Sequence, residues 1–307
     1  MAGSPYSDID RPPLNAAALS RALFAPDGVW TRLDVRAETD STNVDVADAV
    51  RAGEPEGLVV VAERQRAGRG RHGRAWTSPA RAGLTLSVLL RPGEAVPERG
   101  WEPVPLGRYG WLPLLAGVAL VEAVRRVTDL PAVLKWPNDL LLPLVVDEDP
   151  PPDAPTGGGG YGKCAGVLAE SVPGYPGAAP AVVIGIGLNV SLRATELPAG
   201  IGGLPATSLK LAGAAQADRD PLLRAVLRAL ASWYERWRGA AGDPVGCGLR
   251  AAYLAACATI GVPVRVLLPS GGELVGTASA VEDDARLRVR TDAGERWVSA
   301  GDVVHVR

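Results

Sequence analysis

An α/β domain carrying an anion-binding loop, followed by a small β-barrel, is the fold the sequence predicts, and three features predict it. Apolar runs of strand length and stretches of helical period fill the chain up to about residue 260. One apolar run, Leu58–Ala62, is followed after five residues by Gly68-Arg69-Gly70-Arg71-His72-Gly73-Arg74, where glycines alternate with fixed positive charge. From Gly261 onward the texture changes to short, evenly spaced strands divided by turns such as Pro269-Ser270-Gly271-Gly272 and Asp292-Ala293-Gly294.

In chain order, residues 1–30 read as a loosely ordered lead-in with one short helix at 15–24. A helix at 44–52 and a strand at 58–63 precede the glycine–arginine loop. Residues 84–90, Leu-Thr-Leu-Ser-Val-Leu-Leu, read as a strand buried on both faces and ended by Arg91-Pro92-Gly93. Residues 112–128 read as a core helix. Strands are expected at 133–136, 164–171 and 181–190. Asp220-Pro221 reads as a helix start, cap then proline. Leu222, Leu223, Val226, Leu227, Leu230, Tyr234 and Trp237 follow it as an apolar stripe at helical spacing. A last helix is expected at 245–258, and barrel strands at 262–268, 274–281, 287–291 and 296–298. The segment 143–160 holds Asp147-Glu148-Asp149, Pro150-Pro151-Pro152 and four glycines, with little to bury, and reads as a disordered insertion. The expected domains are the lead-in 1–30, a catalytic domain 31–259 and a C-terminal barrel 260–307.

Composition narrows the function classes. A 307-residue chain that is 47% hydrophobic and 21% charged suits one large globular domain plus a small one. A net charge of −2 gives no general attraction to nucleic acid or to an anionic membrane. The longest apolar stretch, 111–124, stops at Arg125-Arg126, short of the ~20 residues that cross a bilayer. Asp8, Asp10 and several prolines stand where a signal peptide needs a basic and then an apolar segment, so a cytoplasmic protein is expected. Cys164, Cys247, Cys257, His72 and His305 show no zinc spacing, and two histidines make a Ser-His-Asp triad a poor reading.

Glycine lets the backbone approach a ligand closely, and arginine binds carboxylate or phosphate through a planar fork. The loop is neither a P-loop nor a dinucleotide fingerprint. Its plain alternative is a solvated basic turn. Four further phrases accompany it: Asp40-Ser41-Thr42-Asn43; Lys135-Trp136-Pro137-Asn138-Asp139; Lys163-Cys164-Ala165-Gly166-Val167-Leu168-Ala169-Glu170; and Gly185-Ile186-Gly187-Leu188-Asn189. In this order and at these distances they resemble the biotin–protein ligases, which adenylate biotin and transfer it to a carrier-protein lysine. The resemblance covers roughly residues 38–307.

That resemblance implies a mixed sheet with flanking helices like the class II aminoacyl-tRNA synthetase core, plus an SH3-like C-terminal barrel. It implies ATP and Mg²⁺, biotin as substrate, and as partner the biotin carboxyl carrier protein of an acyl-CoA carboxylase. Arg69, Gly70 and Arg71 would fold over the biotin tail and phosphate, and Lys163 would contact the reacting oxygens. Lys135 and Asn138 would form a buried ligand wall. Asp139 would hold Mg²⁺ or accept a proton from the incoming amine. A winged helix, which some members carry for DNA binding, needs on the order of 60 residues; only about 40 precede Ser41, so no nucleic-acid role is expected.

Biotin's head is a neutral cyclic urea, which calls for paired donors and acceptors in a largely apolar slot. Ser41, Thr42, Asn43 and Gln65 can supply them, although the first three also suit a helix cap. Trp76 either walls the ligand or packs. The Gly185–Gly187 strand lets a nucleotide approach, with Gly68, Gly166 and Asn189 alongside. Lipoate–protein ligation is the nearest alternative, but lipoyl has no urea for such a polar pocket to read.

Overall fold

The structure, a computed structural model, describes residues 11–145, 160–174, 179–198, 200, 204–268, 271–299 and 302–305. Seven strands form the main sheet: β1 (Arg32–Arg36), β2 (Leu58–Ala62), β3 (Gly83–Leu90), β4 (Val133–Lys135), β5 (Asp139–Pro143), β6 (Tyr161–Val172) and β7 (Ala181–Asn189). Their spatial order is β1-β2-β3-β7-β6-β5-β4; only β1 and β2 run parallel, so the sheet is mixed. The helices are α1 (Ala16–Leu23), α2 (Thr42–Arg51), α3 (Trp111–Thr128), α4 (Arg219–Gly239) and α5 (Leu249–Ala256).

Every residue of β2 and β3 is buried because helices cover both faces of the sheet. Side chains alternate along a strand. Val59, Val61, Leu84, Leu86, Ile184 and Ile186 therefore meet α3 and α4 in the main core, while Leu58, Val60, Leu89 and Val183 meet Val46 and Val50 of α2. On the α2 face the middle strands switch to small residues. Thr85 pairs with Gly187, which pairs with Gly166; Ser87 pairs with Gly185, which pairs with Leu168. The first turn of α2 sits over Ser87 and Gly185, and beyond it, at Thr85, Gly187 and Gly166, the small residues leave a depression.

Five antiparallel strands make the C-terminal domain: β8 (Pro263–Leu267), β9 (Glu273–Val281), β10 (Leu287–Thr291), β11 (Gly294–Val298) and β12 (Asp302–His305), in the order β11-β10-β9-β8-β12. Trp136, 1% exposed, ties the two sheets together. Its indole N–H reaches the Ala285 carbonyl at 3.3 Å, and its backbone N–H reaches the Thr259 hydroxyl at 3.0 Å.

Several expectations need correction. The lead-in is not loose between 11 and 30. Leu19 and Trp30 are buried, Arg11 forms an ion pair with Glu196 at 2.6 Å, and the Leu14 N–H donates to Glu63 at 2.7 Å. Those partners are distant in sequence, so composition alone did not show them. Residues 1–10 lie outside the described residues. Helix α4 begins at Arg219 with Asp218 at the cap position, so Pro221 stands third in the helix, two positions later than expected, still within the first turn. The helix expected at 245–258 is only Leu249–Ala256, since Gly248 takes a left-handed conformation before it. Strands β1, β5 and β12 were not foreseen. Of the insertion, residues 146–159 lie outside the described residues. Its edges belong to the β5–β6 hairpin: the Leu144 N–H donates to the Gly160 carbonyl at 2.6 Å.

Candidate active site

A deep pocket lies on the small-residue floor, and it gathers phrases that are far apart in sequence. The start of α2 supplies Ser41, Thr42 and Asn43; the segment after β2 supplies Gln65; the glycine–arginine loop supplies Arg69, Gly70, Arg71 and Trp76. The β4–β5 turn supplies Lys135, Asn138 and Asp139, β6 supplies Lys163 and Gly166, and β7 supplies Asn189. Gly68 alone among the expected residues is not on the wall. A Cβ there would stand 2.4 Å from the Trp76 carbonyl oxygen and 2.6 Å from the Gln65 amide nitrogen. Its glycine identity serves the packing of the loop.

At one end the groups are neutral and hydrogen-bonding. Ser41 occupies the N-cap position of α2, yet its hydroxyl makes no capping bond, so the cap reading does not account for it. Gln65 Oε1 accepts from the Thr42 backbone N–H at 2.8 Å and lies 3.1 Å from the Thr42 hydroxyl. The Ser87 hydroxyl sits 2.7 Å from the Thr42 hydroxyl and 2.6 Å from Asn43 Oδ1. Asn43 Nδ2 donates to Glu170 at 2.5 Å. Gly185 makes room for this network, because a Cβ there would fall 2.1 Å from Asn43 Oδ1.

Two residues along the strand, ~7 Å away, the Trp76 indole lies over the floor. A Cβ on Gly187 would meet its ring at 2.4 Å. Both glycines of the Gly-Ile-Gly-Leu-Asn phrase therefore accommodate the protein's own side chains while they also line the pocket floor. Trp76 both packs and walls the cavity.

The other end is cationic. Arg69, Arg71, Arg74, Lys135 and Lys163 line the pocket, and Asp139 is the one carboxylate among the described lining residues. Asp139 stands between two ammonium groups, with Lys163 Nζ at 2.6 Å and Lys135 Nζ at 3.9 Å. The three come together because Asp139 pairs with Lys135 across the β4–β5 turn and with Gly166 of β6 on its other side. Among the described residues no three His, Cys, Asp or Glu side chains gather into a metal cage. Mg²⁺ is typically held by one or two carboxylates together with substrate phosphates and its own waters rather than by an all-protein cage, so Asp139 would serve it only in company with nucleotide phosphates.

The glycine–arginine loop is folded on itself. The Gly70 N–H donates to the Arg74 carbonyl at 2.7 Å, the Trp76 N–H donates to the Gly68 carbonyl at 2.9 Å, and His72 and Gly73 take positive φ at the tip. Arg71 reaches across the pocket to Asn138 Oδ1 at 3.2 Å. Asn138 is fixed in turn by its own amide and carbonyl, each 2.9 Å from Val167. Asn189 spends its amide on the Thr207 carbonyl at 2.9 Å, which pins the 204–209 segment at the rim.

Sequence reading missed Thr85, Ser87, Thr77, Leu204, Ala206 and Val303, which line or support the pocket. Ser87 left one signal, a serine at the centre of an apolar strand. Val303 reaches the wall from β12, so the C-terminal domain shares in the site. Nearby, His305 Nε2 is 3.1 Å from the Thr259 hydroxyl. Burial and the Lys135 charge lower its pKa to about 4.

Residues 36–189 match the biotin/lipoate A/B protein ligase family, and residues 259–306 match the biotin protein ligase C-terminal domain. The chain is 39% identical over 301 residues to a biotin–[acetyl-CoA-carboxylase] ligase of Mycobacterium tuberculosis, covering 97% of each protein. It is 27% identical to a bifunctional ligase/repressor of Bacillus subtilis over 88% of this chain and 72% of that protein. Among solved structures, a biotin protein ligase from Aquifex aeolicus in complex with biotin and ATP superposes with a TM-score of 0.65 at 26% identity, covering 91% of this chain and all of that one.

Proposed function

The chain belongs to the biotin/lipoate A/B protein ligase family, and from that premise we propose that it activates biotin with ATP and transfers it to a lysine of a biotin carboxyl carrier protein of an acyl-CoA carboxylase. The observation that carries this reading is the polarity of the pocket: a neutral hydrogen-bonding end at Ser41, Thr42, Asn43 and Gln65 leads over a flat small-residue floor to a cationic end at Lys163, Lys135 and Arg71. A cyclic urea with a carboxylate-ended tail has the same polarity, and lipoate has no urea to match the neutral end.

In the first step the biotin carboxylate attacks the α-phosphorus of ATP and pyrophosphate leaves. The nucleophile is already ionised at neutral pH, so the obstacle is repulsion between anions. Positioned cations reduce it. Lys163, Lys135 and the loop arginines supply positive charge in a partly buried setting where Coulomb energies are larger than in water. Mg²⁺ on the phosphates would neutralise further charge. Asp139 holds Lys163 by an ion pair, so its part in adenylation is to aim that ammonium. In the second step the carrier lysine amine attacks the mixed anhydride carbonyl and AMP leaves. Trp76 and the folded loop cover the anhydride against water meanwhile.

A cytoplasmic location fits three buried cysteines that are all unbridged, as expected in a reducing compartment. Among the described residues no helix is long and apolar enough to cross a membrane. The purified protein should catalyse exchange of labelled pyrophosphate into ATP when biotin is present. Exchange that needs lipoate, or needs neither acid, would overturn the reading.

A further inference from the structure

The polar chain behind the pocket has a direction, and one carboxylate outside the pocket sets it. A carboxylate only accepts hydrogen bonds, so Glu170 draws the Asn43 amide nitrogen toward itself at 2.5 Å and leaves Asn43 Oδ1 facing Ser87. At 2.6 Å one partner must donate, and Oδ1 cannot, so the single Ser87 proton goes to Asn43. The 2.7 Å contact between Ser87 and Thr42 then needs the Thr42 proton. Gln65 Oε1, already held by the Thr42 backbone N–H, receives no proton from that hydroxyl. Thr42 Oγ is left with lone pairs only, at the neutral end of the cavity.

We propose that Glu170, acting through Asn43 and Ser87, orients the Thr42 hydroxyl so that its oxygen accepts a ring N–H of the bound cyclic urea. This rests on the biotin reading of the pocket. Glu170 touches no substrate; it is a positioning residue that keeps the Thr42 proton on Ser87 and both Thr42 lone pairs available to the ligand. Without it the Asn43 amide is free to turn, Ser87 donates to Thr42, and the Thr42 proton turns to Gln65 Oε1, 3.1 Å away. One lone pair is then occupied and the other is no longer aimed, so the ring N–H loses its oriented acceptor.

The test compares wild type, Glu170→Gln, Glu170→Ala and Glu170→Lys by pyrophosphate exchange, each confirmed folded by its thermal melt. Wild type must first show biotin-dependent exchange; failure there removes the function reading and is distinct from failure of this inference. Glutamine can still offer an oxygen to Asn43, whereas lysine offers only donors and forces the reversed chain. Loss of one hydrogen bond corresponds to about a three- to tenfold rise in KM for biotin for alanine, a larger one for lysine and little for glutamine, with KM for ATP and kcat nearly unmoved. A biotin analogue whose ring N–H groups are replaced by oxygen gives a readout that general loosening would not move. Wild type should discriminate against it, and the alanine variant should discriminate less. Equal biotin KM for all four proteins, or unchanged discrimination in the alanine variant, would overturn the assignment.

Discussion

Replacing Gly185 with alanine is the sharpest single test of how the floor is built. The new Cβ would lie 2.1 Å from Asn43 Oδ1, 2.9 Å from its Cγ and 3.2 Å from its Nδ2. That is more than about 1 Å inside ordinary contact, so Asn43 must move. Asn43 is only 7% exposed and Ser87 fully buried, and moving the amide breaks the bond to each of its partners. A buried hydroxyl left without its acceptor costs about 1–3 kcal/mol. Overpacking adds about 1–3 kcal/mol, and the stiffer unfolded chain returns less than about 1 kcal/mol. The net loss of about 1–6 kcal/mol should lower Tm by roughly 2–20 °C. Gly187→Ala makes a useful contrast: its Cβ strikes Trp76, which is only half-buried and can swing outward, so the melt should fall less while the pocket still suffers. Thermal melts and biotin KM for both variants decide the matter. A Gly185→Ala protein melting within about 1 °C of wild type, with KM for biotin unchanged, would refute the reasoning.

Other outcomes follow from the same geometry. Arg71→Gly removes the reach to Asn138 and loosens the loop; each charge-assisted bond lost is worth about 1.5–3 kcal/mol, so biotinyl-AMP should escape roughly ten- to a hundredfold faster while some adenylation survives. A mutant that retains the intermediate as well as wild type would make the loop a mere basic turn. His305 is held neutral by burial and by Lys135, with a pKa of about 4 against about 6.5 unfolded. Between those values the unfolded state binds the extra proton, so stability should fall as pH drops from 6.5 toward 4, and His305→Gln should flatten that part of a melt-versus-pH profile. Excising residues 146–159 and joining Leu144–Val145 to Gly160 through a short glycine turn should keep most activity, since the hairpin closes at Leu144 and Gly160 without them; a large loss with an intact fold would tie the segment to substrate.

The apolar strands and the long helices were legible because their periods are local properties of the chain. So were the pocket phrases, whose polar and charged residues stand out against apolar neighbours. What stayed hidden depends on partners remote in sequence. Strand β1, Arg-Leu-Asp-Val-Arg, is a polar edge strand with no hydrophobic run to announce it. Arg11 and Arg219 carry no local sign of burial, because their partners Glu196 and Glu63 come from far along the chain. Glu170 stood at the end of a recognised phrase, but its tie to Asn43 spans 127 positions and exists only across the folded sheet. Val303 enters the wall by the docking of one domain on another, which no local pattern encodes.

The most direct measurement offers the protein a choice. A carrier domain from an acyl-CoA carboxylase, incubated with the protein, ATP, Mg²⁺ and equal amounts of biotin and lipoate, is analysed by peptide mass spectrometry. The expected product carries biotin on a single lysine and forms only when ATP is present. A lipoylated lysine, or a carrier left unmodified by folded protein, would contradict the account.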